Sequence, residues 1–296
     1  MLGLAAGDAL GTTLEFKPRD TYAPLEDMTG GGPFDLAPGE WTDDTSMALC
    51  LAESLIESNG FDPVDQLNRY RRWMREGHLS SNGRCFDIGN TVRAALERFE
   101  RQQGDAGNAY CGSTDPHTAG NGSLMRLAPV PLFFASDESE AIRMAGESSR
   151  TTHGAAQAVD ACRLYAQMIL RALGGRSKQE VLEHEWTHEP LEASVDGIAR
   201  GSWRGKHRDA IESSGYVMHT LEAALWAFEE TSDFREGALL AVNLGGDADT
   251  TGAVYGQLAG AFYGEEGIPA SWREKLAKRE LIEGFADSLY ERAMLE

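Results

Sequence analysis

An all-α protein folded as one compact domain over residues 1–296 is what the sequence predicts, on three observations. Apolar residues recur at three-to-four spacing through TSMALCLAESLIES (45–58), NTVRAALERFERQQ (90–103), AAQAVDACRLYAQMILRAL (155–173) and TLEAALWAFEE (220–230). That period sets one helix face against a core. No comparable series of alternating strand patterns accompanies them. No shift of composition marks a linker and no repeat is visible, while a 42% hydrophobic content in 296 residues supplies a sizeable core.

Taken in order, the opening MLGLAAGDALG already reads like the middle of a helix, so a turn or two of the natural chain is expected ahead of it. It lacks the basic flank and cleavage pattern of a signal peptide. Glycine and proline at 29–39, polar residues at 104–122 and the segment 200–215 punctuate the helices as loops. WTDDTSMA (41–48) and GGDADTTGA (245–253) each place acids and threonines immediately before a helix. RCFDIGNTVRAA (84–95) puts Asp87 and Asn90 ahead of another, where capping explains them at least as well as catalysis. Gly252, Gly256, Gly260 and Gly264 fall every four residues and line one face of the helix after 247. Such a face lets a second helix approach closely, so this helix is expected at the centre of the core.

Composition narrows the partners. Lys and Arg number 27 against 47 Asp and Glu, a net charge of −20, and no basic run forms the stripe that would neutralise phosphates along a nucleic acid. No apolar run reaches the roughly 18 residues of a membrane span. The four cysteines, Cys50, Cys85, Cys111 and Cys162, form no CxxC pair and read as reduced thiols of a cytoplasmic protein.

The two acid-threonine clusters carry the strongest chemical signal. One helix cap needs one Asp or Thr; Thr42, Asp43, Asp44 and Thr45, then Asp247, Asp249, Thr250 and Thr251, exceed that need, and crowded carboxylates repel unless a cation lies between them. Oxygen-only donors select a hard cation such as Mg²⁺ or Mn²⁺, and two clusters suggest a shared binuclear site. Glu15 adds a further carboxylate or is a solvated surface residue; Asp8 adds another or caps and pairs internally. HEWTH (184–188) matches the zinc pattern H-E-x-x-H, but Pro190 disturbs the helix that pattern requires, and no third ligand follows. AGNGSLMR (119–126) is a glycine-bearing turn that offers backbone N–H groups to a phosphate or is simply a turn. His153 and Tyr216 read equally as core residues or as ligand contacts. No Ser/His/Asp elbow or P-loop is present.

GDALG, WTDDT, FDIGNT, GNGSLMR, Thr152-His153, GYVMHTLEAALWAF and GGDADTTGA occur in the order seen in the ADP-ribosylglycohydrolase family, which the chain resembles from its first residues to about Tyr263, most closely in the dinitrogenase-reductase-activating branch. The resemblance implies an orthogonal helical bundle of the ADP-ribosylglycohydrolase type. It implies two Mg²⁺ or Mn²⁺ ions held by Glu15, Thr42, Asp43, Asp44, Asp247, Asp249 and Thr250. Gly120, Asn121, Gly122 and Ser123 match the loop that cradles the diphosphate of ADP-ribose, His153 a ribose or phosphate contact, Tyr216 a ring stacked on adenine, and Asp87 with Asn90 the segment facing the scissile bond. The implied reaction is hydrolysis of the N-glycosidic link of an ADP-ribosylated protein or small-molecule acceptor, releasing ADP-ribose, with Asp87 as acid and Glu15 assisting the attacking water. FDIGNT favours an arginine linkage; GAAQA after His153 lacks the proline frequent in relatives, and Thr118-Ala119 before the turn departs from serine-linkage hydrolases. A non-catalytic ADP-ribose binder, a hydrolase of serine, acyl or nucleic-acid-base linkages, and a metal-dependent hydrolase of a phosphorylated small molecule are the alternatives.

Overall fold

The computed structural model describes residues 1–102, 109–183 and 185–294. Among these are fourteen α-helices and no strand, only isolated bridges such as Ser113 with His153 and Gly120 with Tyr216. The helices are α1 (Leu2–Gly11), α2 (Asp43–Ser58), α3 (Pro63–Glu76), α4 (Asn90–Arg101), α5 (Pro129–Phe133), α6 (Glu138–Arg150) and α7 (Ala156–Leu173). There follow α8 (Lys178–Leu182), α9 (Ala193–Ala199), α10 (Val217–Glu230), α11 (Phe234–Val242), α12 (Ala248–Gly267), α13 (Ala270–Lys275) and α14 (Arg279–Ala293). The four strongly periodic segments became α2, α4, α7 and α10; Gln103 and the residues to 108 lie outside the described residues.

Ordinary punctuation sets many boundaries. Asp62 accepts from the N–H groups of Val64 and Asp65 while Pro63 opens α3, and Gly77, at φ 70°, closes it. Ser177 and Glu180 form a reciprocal capping box on α8. That helix stops at Leu182, and residues 185–188 are not helical, so HEWTH cannot present two histidines on one helical face; His184 itself lies outside the described residues. His188 instead lies 5.0 Å from the Trp186 ring.

The centre of the fold is α1 laid against α12. The glycine stripe does what its spacing predicts at Gly252, Gly256 and Gly260, each of which meets Gly3 or Gly7 of α1. A Cβ on Gly7 would sit 1.9 Å from the Gly252 carbonyl oxygen, and one on Gly256 2.0 Å from that of Gly3. Gly264 departs from the expected stripe: at φ 71° and ψ 179° it breaks the helix, and a Cβ there would meet nothing within 4 Å. The complementary stripe on α1 is Gly3, Gly7 and Gly11, packed on the backbone of Gly256, Gly252 and Ala248. Ala248 through Ala259 are all buried, which puts this helix in the core. No described helix is long and apolar enough to cross a membrane, and no disulfide joins the four cysteines.

Candidate active site

Close packing of α1 on α12 brings three chain segments together at one end of the core. Asp8, on α1, faces the first turn of α2: its Oδ1 accepts from the Thr42 N–H and hydroxyl, each at 2.9 Å, and its Oδ2 from the Thr45 N–H at 3.0 Å and hydroxyl at 2.6 Å. Four donors fill the carboxylate, so Asp8 caps α2 from another helix. The first turn of α2 therefore has its cap without using Asp43 or Asp44. Neither Thr42 at the start of α2 nor Asp247 at the start of α12 caps its own helix through its side chain, so capping does not account for Asp43, Asp44 or Asp249.

These carboxylates instead converge. Oxygens of Asp8, Asp44 and Asp249 lie within 4.8 Å of one another, as do oxygens of Glu15, Asp87 and Asp249, so two groups share Asp249. The Thr42 hydroxyl lies 3.0 Å from Asp44 Oδ2 and 3.2 Å from Asp249 Oδ2, and the Thr250 hydroxyl 3.5 Å from Asp44 Oδ2. Asp43, Asp247 and Thr250 line the adjoining cleft together with Glu15 and Asp87. Glu15, which read equally as a solvated surface residue, is 3% exposed.

Electrostatically the cluster is uncompensated. Burial, then the neighbouring carboxylates, push Asp43, Asp44 and Asp249 well above the ordinary carboxylate range. Burial also raises Glu15 and Asp87, Glu15 further because Asp87 accepts its hydrogen bond. Asp8 rises to about 6 by burial, its hydrogen bonds working against the shift. One buried oxygen each of Glu15 (Oε2), Asp44 (Oδ1) and Asp249 (Oδ1) has no hydrogen-bond partner. Orphaned, buried carboxylate oxygens cost free energy unless something positive meets them. Oxygen-only donors of this kind fit a hard divalent cation.

The opposite wall belongs to the Gly-Asn-Gly turn. The Asn121 amide donates to Asp247 Oδ2 at 2.7 Å and to the Thr220 hydroxyl at 2.9 Å, and its backbone N–H to the Gly215 carbonyl at 3.1 Å. Gln257 of α12 donates to the Leu124 and Met125 carbonyls at 3.0 and 2.9 Å, so the helix that begins at the acids also holds the turn. Phe16 N–H donates to the Gly246 carbonyl at 2.7 Å and Gly246 N–H to the Lys17 carbonyl at 2.9 Å, which ties Glu15 to Asp247. Gly246 is required there, since at φ 63° a Cβ would lie 2.1 Å from the Ser213 carbonyl oxygen.

Between the walls lies a cavity of about 690 Å³, the size of a small-ligand site. Gly120, Asn121, Gly122, His153, Asp87 and Asn90 all line it. Ser123 is turned away, its hydroxyl accepting from Ser149 at 2.9 Å and from the Cys162 thiol at 3.5 Å. Tyr216 stands beside the cavity: it starts α10 after Ser214 and Gly215, which do line it, and its ring meets His219 edge-on at 5.0 Å. Ser213, Ser214 and Phe16 line the cavity without having been singled out in the sequence. Ser213 and Ser214 fall in a segment legible only as loop, and the 64% exposure of Phe16 has no signature in GTTLEF.

Fold and site together define an all-helical protein whose cleft sets a hard-cation donor set against a glycine turn suited to an anion. The chain belongs to the ADP-ribosylglycohydrolase family: the family's model matches residues 1–296. It is 48% identical over 293 residues to ADP-ribosylarginine hydrolase Tri1 of Pseudomonas putida (strain GB-1), covering 99% of this chain and 77% of that protein. It is 33% identical over 284 residues to ADP-ribosyl-[dinitrogen reductase] glycohydrolase of Rhodospirillum rubrum, covering 93% and 88%. A solved ADP-ribosylglycohydrolase-related protein complex superposes with a TM-score of 0.86 at 45% identity, covering 99% of this chain and 96% of that one.

Proposed function

We propose that the protein is a cytoplasmic, binuclear-metal-dependent hydrolase that cleaves the N-glycosidic bond between ADP-ribose and an arginine side chain, releasing ADP-ribose. The observation that carries this is the convergence of Asp44, Asp249, Glu15 and Asp87, with three orphaned buried oxygens, across one cavity from Gly120–Gly122 and His153. The arginine linkage is supported by the name and 48% identity of the Pseudomonas relative. Phe16 supports it independently, as an exposed ring at the cavity wall next to Glu15, a combination of π-face and carboxylates that suits a guanidinium.

In this reading Glu15, Thr42, Asp43, Asp44, Asp247, Asp249 and Thr250 hold two Mg²⁺ or Mn²⁺ ions. When bound, such ions supply Lewis acidity and lower the pKa of water beside the anomeric carbon. The backbone of Gly120–Gly122 and the His153 ring hold the diphosphate, with Ser123 supporting the turn from behind, while Tyr216 flanks the adenine. Asn90, at the start of α4, orients the acceptor side. With Glu15 ionised as a metal ligand, the proton that the metal-free pair keeps on Glu15 would reside on the buried Asp87, which gives it to the departing guanidine nitrogen as the C1′–N bond breaks. Glu15 receives a proton from the attacking water, whose oxygen forms the new bond to C1′. Products are ADP-ribose and the unmodified arginine, and the proton Glu15 gains matches the one Asp87 loses.

The test is a linkage panel of arginine-, serine-, acyl- and base-linked ADP-ribose with Mg²⁺ or Mn²⁺. Release is expected from the arginine substrate and abolished by excess chelator. Full turnover in chelator sinks the metal scheme, and tight ADP-ribose binding without turnover of any linkage makes the protein a binder.

A further inference from the structure

Behind the Gly-Asn-Gly turn sits a cation that the scheme above leaves without a task. Arg126 ends the GNGSLMR segment and is fully buried. Its guanidinium lies 4.5 Å from the Tyr70 ring centroid, its Nη2 donates to the Thr152 hydroxyl at 2.7 Å, and its Nε and Nη1 have no partner. The Thr152 hydroxyl in turn lies 2.8 Å from His153 Nδ1.

The direction of this chain follows from donor counting. A guanidinium can only donate, so the Thr152 oxygen must accept from Arg126. That hydroxyl carries one proton, and its remaining neighbour is His153 Nδ1. Were Nδ1 protonated, two donors would converge on one hydroxyl whose own proton pointed at neither. The satisfied arrangement has Thr152 donating to Nδ1, which puts the imidazole proton on Nε2. Nε2 is the nitrogen on the cavity side: a Cβ on Gly122 would lie 3.1 Å from it and one on Gly120 3.4 Å.

We propose that Arg126 and Thr152 are positioning residues that lock His153 in its Nε2–H form, so that the ring presents a neutral hydrogen-bond donor between Gly120 and Gly122 to an anionic oxygen of the ligand. Burial and the neighbouring Arg126 charge push the His153 pKa down to about 3, which keeps the ring neutral. The opposite tautomer would turn a lone pair toward the anion and repel it. Only the identity of the ligand as the diphosphate of ADP-ribose rests on the proposed function; the tautomer does not.

The experiment is a long-range ¹⁵N–¹H correlation spectrum of the ¹⁵N-histidine-labelled full chain at pH 7, paired with calorimetric titration of ADP-ribose. His153 is expected to show a pyrrole-like Nε2 and a pyridine-like Nδ1. Thr152→Val, which keeps the shape and removes the hydroxyl, is expected to mix the tautomers and weaken ADP-ribose binding about tenfold, the scale of one lost hydrogen bond to a charged group. Thr152→Ser is expected to restore both. A wild-type proton on Nδ1 overturns the proposal whether or not the variants fold, as does a Thr152→Val protein that keeps the Nε2–H form and full affinity. The expected tautomer and its loss in Thr152→Val, without any ADP-ribose binding, supports the relay and removes the ligand reading instead.

Discussion

Asp87 holds its position by a backbone conformation that few side chains tolerate, φ 58°, ahead of Gly89 and the first turn of α4. That places its carboxyl against Glu15, and removing its proton-donating ability should spare binding. Asp87→Asn is expected to lower kcat by about 10²–10⁴-fold with KM little changed, measured by ADP-ribose release from an arginine-linked substrate. A KM effect without a kcat effect would make Asp87 a binding residue. Asp8 and Asp44, both buried carboxylates on neighbouring turns, are expected to behave oppositely. Asp8→Ala strands the N–H groups of Thr42 and Thr45 and should cost about 1–3 kcal/mol, read from the urea midpoint. Asp44→Asn removes the need to protonate a carboxylate that is ionised in the unfolded chain and should raise the Tm of the metal-free protein while abolishing the Tm gain on adding Mn²⁺. A metal-free Asp44→Asn protein less stable than wild type would mean that its charge is already compensated. The excess of acids at 43, 44, 247 and 249 was legible in the sequence because a helix start needs only one cap. Capping was legible as one reading of Asp8, but not that the helix it caps is α2, and Arg126 as a buried cation was not legible. Each acts on residues brought to it by tertiary packing, which GDALG and SLMR do not encode locally.

At the scale of elements, the geometry of the site depends on how closely two helices approach. α1 carries Asp8 and leads into Glu15; α12 starts beside Asp247 and Asp249; their glycine faces set the spacing between these groups. Gly7→Ala would put a methyl 1.9 Å from the Gly252 carbonyl oxygen, and backbone cannot rotate away as a side chain can. The helices must separate, at a cost of about 1–3 kcal/mol or more, and the Asp8 cap on Thr42 separates with them. Both the urea midpoint and the affinity for Mn²⁺ are expected to fall; an unchanged Mn²⁺ affinity would show that the acid cluster is positioned independently of this contact. Helices were the legible part of the sequence, because a 3.6-residue apolar period over 45–58 or 155–173 is strong and local. The exception is instructive. Gly264 extends the four-residue stripe on paper but bends the chain in the structure, since spacing reports which face a residue shares and not whether a partner lies opposite it.

For the whole molecule, the acid cluster should couple stability to pH and to cations. Burial raises Asp8, Glu15, Asp43, Asp44, Asp87 and Asp249 above the ordinary carboxylate range. An unfolded chain releases those protons near pH 4, whereas the metal-free fold still holds them, so above that pH the native state binds more protons than the unfolded one. Stability must then fall as pH rises, through the values of about 6 for Asp8 and about 7 for Asp87 and beyond. A divalent cation reverses this, because it binds the ionised carboxylates and displaces their protons, so its affinity grows with pH. In chelator, the Tm is expected to decline steadily from pH 5 to pH 8. With Mn²⁺ fixed at about 100 times its Kd at pH 6, a gain of about 2.7 kcal/mol is expected at that pH, and a larger one at pH 8 at the same concentration. A chelated protein whose Tm is flat or rises across this range would mean that the carboxylates are compensated without a cation, and the donor set would then be a hydrogen-bonded core instead of a metal centre.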